Sequence, residues 1–171
     1  MDIAERAGDL LRRGFDSTPR TEWKQDGSPV TETDLAIDRL VERTLAEAFP
    51  NHGYLGEETG RRSSSSTYTW VCDPIDGTRP FVLGFPLSTV SLALVRDGEP
   101  IVAVLAYPAR RWLFVAEKGA GATLNGERLT VSSTSELAGA VIDVCCAARL
   151  GLHVPGAYDA LDELGAVTSY S

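Results

Sequence analysis

The fold of this chain is decided by the stretch Trp70-Val71-Cys72-Asp73-Pro74-Ile75-Asp76-Gly77-Thr78. Its apolar start ends a predicted buried strand, Tyr68 to Cys72, which runs directly into Asp73. Pro74 restricts its own φ and gives the following turn a defined direction. Gly77 allows close approach of the backbone, and the three residues after it are predicted to open a short helix.

The two aspartates at the end of this strand can bind a hard cation. Asp73 and Asp76 are close enough in sequence for one turn to aim both carboxylates, and the carbonyl oxygen of Ile75, at one point. Mg²⁺ prefers oxygen ligands of this kind. A helix that begins at Thr78 would direct its free N–H groups at an anion such as phosphate. The stretch therefore predicts a joint metal and phosphate site, and the alternative is an ordinary pair of Asp-Pro and Asp-Gly turns.

Two acidic segments precede this stretch. Gly56-Glu57-Glu58-Thr59 follows a short predicted strand and can supply one more carboxylate, although the pair taken alone fits a solvated loop. Thr31 and Asp34 have the spacing of a capping box at the start of a predicted helix. A carboxylate at a helix start can also orient a nucleophilic water, so both interpretations of Asp34 stay open at this point.

The remainder of the chain predicts two helices followed by a series of strands. Apolar residues with helical spacing predict helices over residues 3–15 and 33–49. Asp97-Gly98 and Asn125-Gly126 predict tight turns between short strands. The predicted strands cover residues 54–58, 68–72, 87–95, 101–107, 112–116, 122–129 and 141–146. We expect an α+β fold with helices packed on a largely antiparallel sheet, in one domain over residues 1–171.

Several segments are predicted to lie outside this framework. Residues 23–29 are predicted to form a turn or loop, and residues 61–67, which include four consecutive serines, an exposed and mobile segment. His52 and His153 are predicted to be surface residues, and Cys72 a small buried one.

The composition excludes several classes of protein. The chain has 171 residues, a hydrophobic fraction of 43% and a net charge of −8. Such an acidic chain without a cluster of Lys and Arg is not expected to bind nucleic acid. Its three cysteines, two of them adjacent, do not imply a disulfide framework. We find no apolar stretch of bilayer-spanning length and no signal-peptide pattern, so we expect a cytoplasmic protein with no membrane partner.

The order of the acidic motifs resembles that of the inositol monophosphatase family, a family of Mg²⁺-dependent, Li⁺-sensitive phosphomonoesterases. The resemblance rests on Ser28-Pro29-Val30-Thr31-x-x-Asp34, Gly56-Glu57-Glu58 and Asp73-Pro74-Ile75-Asp76-Gly77-Thr78. Phe85-Pro86 and Gly119-Ala120-Gly121-Ala122 are further family-like stretches. The resemblance covers the chain from the first helix to about residue 146. It implies the N-terminal part of the layered α/β fold of the sugar phosphatases.

The resemblance also implies a set of metal ligands. Glu57, Asp73 and the carbonyl oxygen of Ile75 would hold a first Mg²⁺, and Asp73 would bridge to a second Mg²⁺ bound by Asp76. Lys24 matches a family lysine in a loop that is linked to a further Mg²⁺. Two or more ions are therefore expected.

The remaining implied roles concern water and phosphate. Asp34 and Thr78 would orient the attacking water, and Glu57 would join them as a catalytic residue through its metal. The N–H groups of Gly77 and Thr78 would hold phosphate oxygens. The expected reaction is direct displacement, in which a metal-activated water attacks the phosphorus of a small phosphate monoester.

The sequence departs from the family pattern in two places. Family members are longer and carry a later Trp-Asp motif whose aspartate completes the second metal site, and nothing after Val144 supplies it. We therefore expect a chain that is incomplete at its C-terminal side, with an unpaired sheet edge near residue 144 that would promote aggregation or a homodimer. Arg79-Pro80-Phe81 also differs from the Asn-Phe common in the family, which leaves the substrate open.

Several functions stay open on the sequence alone. Inositol monophosphate is the first expected substrate, and histidinol phosphate, a nucleoside 3′,5′-bisphosphate and fructose 1,6-bisphosphate are the alternatives within the family. A function of another class is a truncated, catalytically silent domain that binds metal or a partner.

Overall fold

The structure is a computed structural model that describes residues 2–17, 19–136, 140–144 and 167–170, together with residues 156, 159 and 163. The chain divides into two compact units, one up to Leu129 and one from Thr130 onward. The expectation of one domain over residues 1–171 stays a prediction.

The first unit contains three α-helices and ten strands. The helices are α1 (Asp2–Phe15), α2 (Glu32–Ala48) and α3 (Thr78–Val82), with a 3-10 helix at Pro108–Arg110. The strands are β1 (Thr21–Trp23), β2 (Pro29–Thr31), β3 (Gly53–Gly56), β4 (Gly60–Arg62), β5 (Tyr68–Asp76), β6 (Thr89–Arg96), β7 (Glu99–Tyr107), β8 (Trp112–Glu117), β9 (Gly121–Leu124) and β10 (Glu127–Arg128). In the second unit the described strands are β11 (Val141–Val144) and β12 (Val167–Tyr170).

Eight strands of the first unit form one sheet in the order β10-β9-β8-β7-β6-β5-β3-β4. Its neighbours run antiparallel except for β3 and β5, which are parallel. The expected α+β fold with a largely antiparallel sheet is therefore confirmed. The parallel register pairs Gly56 with Cys72, so the next residues of the two strands, Glu57 and Asp73, follow side by side at one edge of the sheet.

The two long helices pack on the sheet through small and branched side chains. Helix α1 buries Ala4, Ala7 and Leu11, and α2 buries Ile37, Val41 and Leu45. Both sets recur at intervals of three or four residues, the spacing that places side chains on one helix face. Their partners in the core come from the sheet and α3: Tyr54, Cys72, Ile75, Phe81, Val90, Leu92 and Ala106.

The predicted turn or loop over residues 23–29 is confirmed at residues 24–28, and its end residues, Trp23 and Pro29, belong to β1 and β2, which pair antiparallel. Strands of three residues are too short to produce a detectable alternation of apolar and polar residues. In the serine-rich segment, Arg61 and Arg62 belong to β4 and pair with β3, although Ser63, Ser64 and Ser65 are exposed as predicted.

His52 is not the surface residue that we predicted. Its ring stacks between those of Phe49 and Tyr68, with centroids 5.1 and 5.0 Å away, and its Nδ1 is buried. Three aromatic neighbours, the third being Trp70, cover the imidazole. His153 lies outside the described residues.

The remaining expectations concern Cys72 and the late strand. Cys72 is buried as predicted, and burial raises the pKa of its thiol to about 12, so it is not an activated nucleophile. β12 pairs with β11 in parallel and fills one side of it in a two-stranded sheet, so the expectation of an unpaired edge near residue 144 stays a prediction for its other side. Residues 145 and 146, the predicted end of that strand, lie outside the described residues.

Among the described helices, none has the length and apolar character that crossing a bilayer requires.

Candidate functional site

The candidate site lies where β5 leaves its regular pairing. β5 pairs with β6 as far as Asp73 opposite Ser91, and the pairing resumes only at Asp76 opposite Thr89. Pro74, between these points, has no N–H to donate to the ladder, so the strand is interrupted there. The expected turn after Cys72 is thus an irregularity within a longer strand, and it lies between the two predicted metal-binding aspartates.

Asp73 is the most perturbed carboxylate of this region. Burial, followed by the negative charges of Glu57 and Asp76, raises its pKa from 3.8 to about 7. Its Oδ1 atom is buried and has no hydrogen-bond partner in the structure. An oxygen without a donor, in the field of two other carboxylates, has the surroundings of a ligand to a hard cation.

Glu57 is attached to the same strand end by its backbone. Its N–H donates to the carbonyl oxygen of Cys72 over 3.1 Å, which continues the parallel β3–β5 pairing by one residue. The Glu57 side chain is about half-exposed, whereas that of the adjacent Glu58 is largely buried. The structure therefore brings Glu57 to Asp73, as the sequence predicted, and also shields Glu58.

Lys24, in the turn between β1 and β2, binds both glutamates. Its Nζ donates to Glu57 Oε1 at 2.9 Å and to Glu58 Oε1 at 2.6 Å. Burial alone would lower the pKa of Lys24, but the hydrogen bonds and charges of Glu58 and Glu57 outweigh it and raise that pKa. Burial raises the pKa of Glu58, and Lys24 opposes this shift. The ammonium group of Lys24 therefore places a positive charge beside the carboxylates of Glu57 and Glu58.

The predicted ligands have the oxygen atoms that Mg²⁺ prefers, but their side chains are not arranged around one point in the described residues. The carboxylates of Glu57, Asp73 and Asp76 and the carbonyl group of Ile75 supply oxygen only, which suits Mg²⁺. In the part of the chain that the structure describes, no three His, Cys, Asp or Glu side chains have the arrangement of a metal site. The carbonyl oxygen of Ile75 accepts a hydrogen bond from Thr78 Oγ1 at 2.9 Å, which leaves it a second lone pair.

Asp34 caps helix α2 and also lies next to Thr78. Its Oδ2 accepts from the N–H of Thr31 at 2.8 Å, and Thr31 Oγ1 accepts from the N–H of Asp34 at 3.4 Å, so the capping box of α2 is confirmed. Its Oδ1 lies 3.3 Å from Thr78 Oγ1. Burial raises the pKa of Asp34. One oxygen therefore caps the helix, and the other faces the predicted water-orienting threonine.

Gly77 begins α3 in a conformation that favours glycine. Its φ is +89°, and an added Cβ would lie 3.1 Å from the carbonyl oxygen of Leu87. Ser88 Oγ donates to the carbonyl oxygen of Gly77 at 2.8 Å, and the N–H of Phe81 donates to it at 3.1 Å. These contacts fix the peptide that joins Gly77 to Thr78, the two residues predicted to bind phosphate.

The sequence interpretation missed Asp38. This residue has no exposed surface, and its Oδ2 accepts from the N–H groups of Glu58 at 2.8 Å and Thr59 at 2.9 Å. Its Oδ1 accepts from Thr59 Oγ1 at 3.1 Å and from the hydroxyl of Tyr54. A signal was present, because Asp38 lies one turn after Asp34 and next to Ile37 on the buried face of α2. A charged residue at such a position needs buried partners.

The sequence is similar to a large set of phosphatases. A sequence profile described as the inositol monophosphatase family matches residues 1–157. Inositol monophosphatase 2 of Solanum lycopersicum is 40% identical over 147 residues, which are 83% of this chain and 56% of that protein. A histidinol-phosphatase of Mycobacterium tuberculosis is 41% identical over 143 residues, which are 80% of this chain and 55% of that protein. The chain thus spans about half the length of the curated relatives it matches.

The fold is similar to that of solved relatives. The structure of an IMPase from Thermotoga maritima superimposes with a TM-score of 0.85 and 28% sequence identity. The match covers 99% of this chain and 65% of that one. The helices, the sheet and the order of the acidic motifs therefore agree with one family over nearly the entire chain.

Proposed function

Because this chain belongs to the inositol monophosphatase family, we propose that it forms the metal-binding and phosphate-binding part of a Mg²⁺-dependent phosphomonoesterase. The observation that carries the proposal is the buried Asp73 Oδ1, which has no hydrogen-bond donor and lies beside the charges of Glu57 and Asp76. A divalent cation would supply the missing partner and reduce the repulsion among the carboxylates. Glu57, Asp73, Asp76 and the carbonyl oxygen of Ile75 are the proposed ligands.

The other residues of the site would serve the attacking water and the phosphate. Bound Mg²⁺ supplies Lewis-acid activation of water and neutralises charge on phosphate oxygens. Thr78 Oγ1 would accept a hydrogen bond from the water and donate its own proton to Asp34 Oδ1, 3.3 Å away, in place of the Ile75 carbonyl oxygen. The N–H groups of Gly77 and Thr78, at the start of α3, would hold phosphate oxygens. No covalent intermediate with the protein is proposed.

The proposed substrate is a small phosphate monoester. Relatives of similar identity are named inositol monophosphatase and histidinol-phosphatase, so inositol monophosphate and histidinol phosphate are the two substrates to compare first. A nucleoside 3′,5′-bisphosphate remains the third alternative. The cytoplasmic location and the homodimer that we expected from the sequence stay predictions.

Metal binding is the direct test of the proposal. We expect calorimetric titration of the wild-type chain with Mg²⁺ to show binding, and Asp73→Asn to abolish it. Asp26→Asn, an exposed change in the turn that carries Lys24, serves as the control and should bind as the wild type does. A wild-type chain that binds no Mg²⁺, or an Asp73→Asn variant with unchanged affinity, would contradict the site assignment.

A second candidate function is a catalytically silent metal-binding domain. It is favoured by the absence from the sequence after Val144 of the Trp-Asp motif whose aspartate completes the second metal site in the family. Phosphate release from inositol monophosphate or histidinol phosphate in the presence of Mg²⁺ distinguishes the two. Turnover that depends on Mg²⁺ and is lost in Asp73→Asn would exclude the silent domain.

A further inference from the structure

Asp38 is a buried carboxylate that the proposed chemistry does not use. Its four hydrogen-bond partners are neutral: the hydroxyls of Tyr54 and Thr59 and the N–H groups of Glu58 and Thr59. Hydrogen bonds to an ionised acceptor are about twice as strong as those between neutral groups. A carboxylate held by four donors is therefore a firm anchor for the segment that supplies them.

The anchored segment carries Glu57. The N–H of Glu57 donates to Cys72 on β5, and the next two N–H groups, of Glu58 and Thr59, donate to Asp38 on α2. Three consecutive N–H groups thus bind two different elements. This arrangement fixes the direction in which the Glu57 side chain leaves the backbone, immediately beside Asp73.

Asp38 also packs directly under this segment. A Cβ added at Gly56 would lie 2.2 Å from Asp38 Oδ1, so the carboxylate occupies the space that any other residue at position 56 would need. Tyr54, fully buried in the same strand, closes the other side of the carboxylate with its hydroxyl. The position of β3 at the site is therefore defined by contact as well as by hydrogen bonds.

We propose that Asp38 is a positioning residue, which sets the place of Glu57 relative to Asp73 and thereby the affinity of the site for a divalent cation. This inference rests on the proposed function, because it takes Glu57 and Asp73 as ligands of one ion. The Glu57 side chain is about half-exposed, so packing does not fix its rotamer. Lys24 holds one oxygen of that side chain, and the backbone that carries it is held by Cys72 before and by Asp38 after Glu57.

Two substitutions at Asp38 test its hydrogen bonds. Asp38→Asn keeps one oxygen for the two N–H groups, and its amide can donate to the hydroxyl oxygens of Tyr54 and Thr59. Asp38→Leu keeps the branching of the side chain, but its methyl groups are larger than the oxygens and accept no hydrogen bond. Ile37→Val, which removes one methyl group from the preceding buried residue of α2, is the matched control.

Calorimetric titration with Mg²⁺ measures the consequence for the site. Partners that hold metal ligands in place typically contribute tenfold to a hundredfold to affinity, so Asp38→Leu should weaken Mg²⁺ binding by about tenfold or more. Asp38→Asn should stay within about threefold of the wild type, since its hydrogen bonds can be retained. Ile37→Val should not change the affinity. Equal affinity of Asp38→Leu and wild type would overturn the proposal.

Amide hydrogen exchange without metal tests the anchor independently. In EDTA, Asp38→Leu should accelerate exchange at Glu58 and Thr59 while leaving the amides of α1 unchanged. Unchanged exchange at these two amides overturns the proposal even if the affinity falls. If the wild-type chain binds no Mg²⁺, the proposed function fails and the affinity role of Asp38 fails with it, whereas the exchange data still decide whether Asp38 anchors the segment.

A variant outside Asp38 covers the case in which Asp38→Leu does not fold. Gly56→Ala retains Asp38 but places a methyl group in the space that its carboxylate occupies, so the carboxylate and β3 must move apart. It should weaken Mg²⁺ binding and accelerate exchange at Glu58 and Thr59, as Asp38→Leu does. A folded Gly56→Ala chain with wild-type Mg²⁺ affinity would contradict the positioning role.

Discussion

Ionisation of the Asp73 carboxyl group should lower the stability of the folded chain when no metal is bound. Its pKa in the folded chain is raised from 3.8 to about 7, so between these values the folded state binds the proton more tightly than the unfolded state does. Stability in EDTA should therefore fall as pH rises through this window, by about 1–2 kcal/mol after allowance for solvent screening. Burial raises the pKa of Asp34 and Glu58 as well, which acts in the same direction. Urea unfolding at a series of pH values measures the slope.

The Asp73→Asn variant separates this residue from the other carboxylates. An amide carries no charge at any of these pH values, so in EDTA the variant should be the more stable protein above the pKa of Asp73 and should show a flatter pH dependence. Asp97→Asn, at the exposed turn between β6 and β7, should leave the slope as it is in the wild type. An Asp73→Asn chain that loses stability with pH as steeply as the wild type would show that Asp73 is not the source.

Gly77 should tolerate a methyl group less well than a glycine in open surroundings. Gly77 and Gly84 both have a left-handed φ, +89° and +79°, but only at Gly77 would a Cβ approach another atom closely. We expect Gly84→Ala to cost about 1 kcal/mol through backbone strain, and Gly77→Ala to cost more. Chemical denaturation of both variants measures the difference. Equal losses would show that the space beside Leu87 does not constrain Gly77.

Among the elements, helix α2 depends on its first residues. The Thr31 hydroxyl accepts from the N–H groups of Thr33 and Asp34, and the Asp34 carboxylate accepts from the N–H of Thr31. Thr31→Ala should therefore lower the free energy of unfolding by about 1 kcal/mol. Thr31→Ser keeps the hydroxyl and should lose only a small part of that amount. Denaturant unfolding of the two variants provides the measurement. A serine variant as unstable as the alanine variant would show that the hydroxyl is not the stabilising group.

The elements with a long periodic pattern were predictable from the sequence. Helices α1 and α2 begin and end within one or two residues of the predicted bounds, and the turns at Asp97-Gly98 and Asn125-Gly126 join paired strands. The hairpin of β1 and β2 was not predicted, because three residues cannot show a period. Strand β12 was missed as well, since its pairing with β11 depends on a partner far away in the sequence.

The site was predictable in its residue types but not in its connections. The stretch Asp73 to Thr78 indicated its own two aspartates and Gly77, because they are local in the sequence, whereas Glu57 and Asp34 were joined to it only by the family resemblance. The contacts of Lys24 with two glutamates and of Asp38 with the segment after Glu57 join residues that are 20 to 34 positions apart. Such contacts are set by the packing of α2 and the first hairpin on the sheet, which no local pattern encodes.

For the whole molecule, the single parallel pair in the sheet has a kinetic consequence. Strands β6 to β9 follow one another as hairpins, whereas β4 separates β3 from β5 and α3 separates β5 from β6. Local pairings form fastest, so β5 should pair with its two neighbours, β3 among them, after the β6–β9 meander has formed. A cation held by Glu57 and Asp73 would bridge the boundary between β3 and β5 and would be absent from an early transition state. Mg²⁺ should therefore slow the unfolding of the chain several-fold in stopped-flow measurements while leaving its refolding rate nearly unchanged.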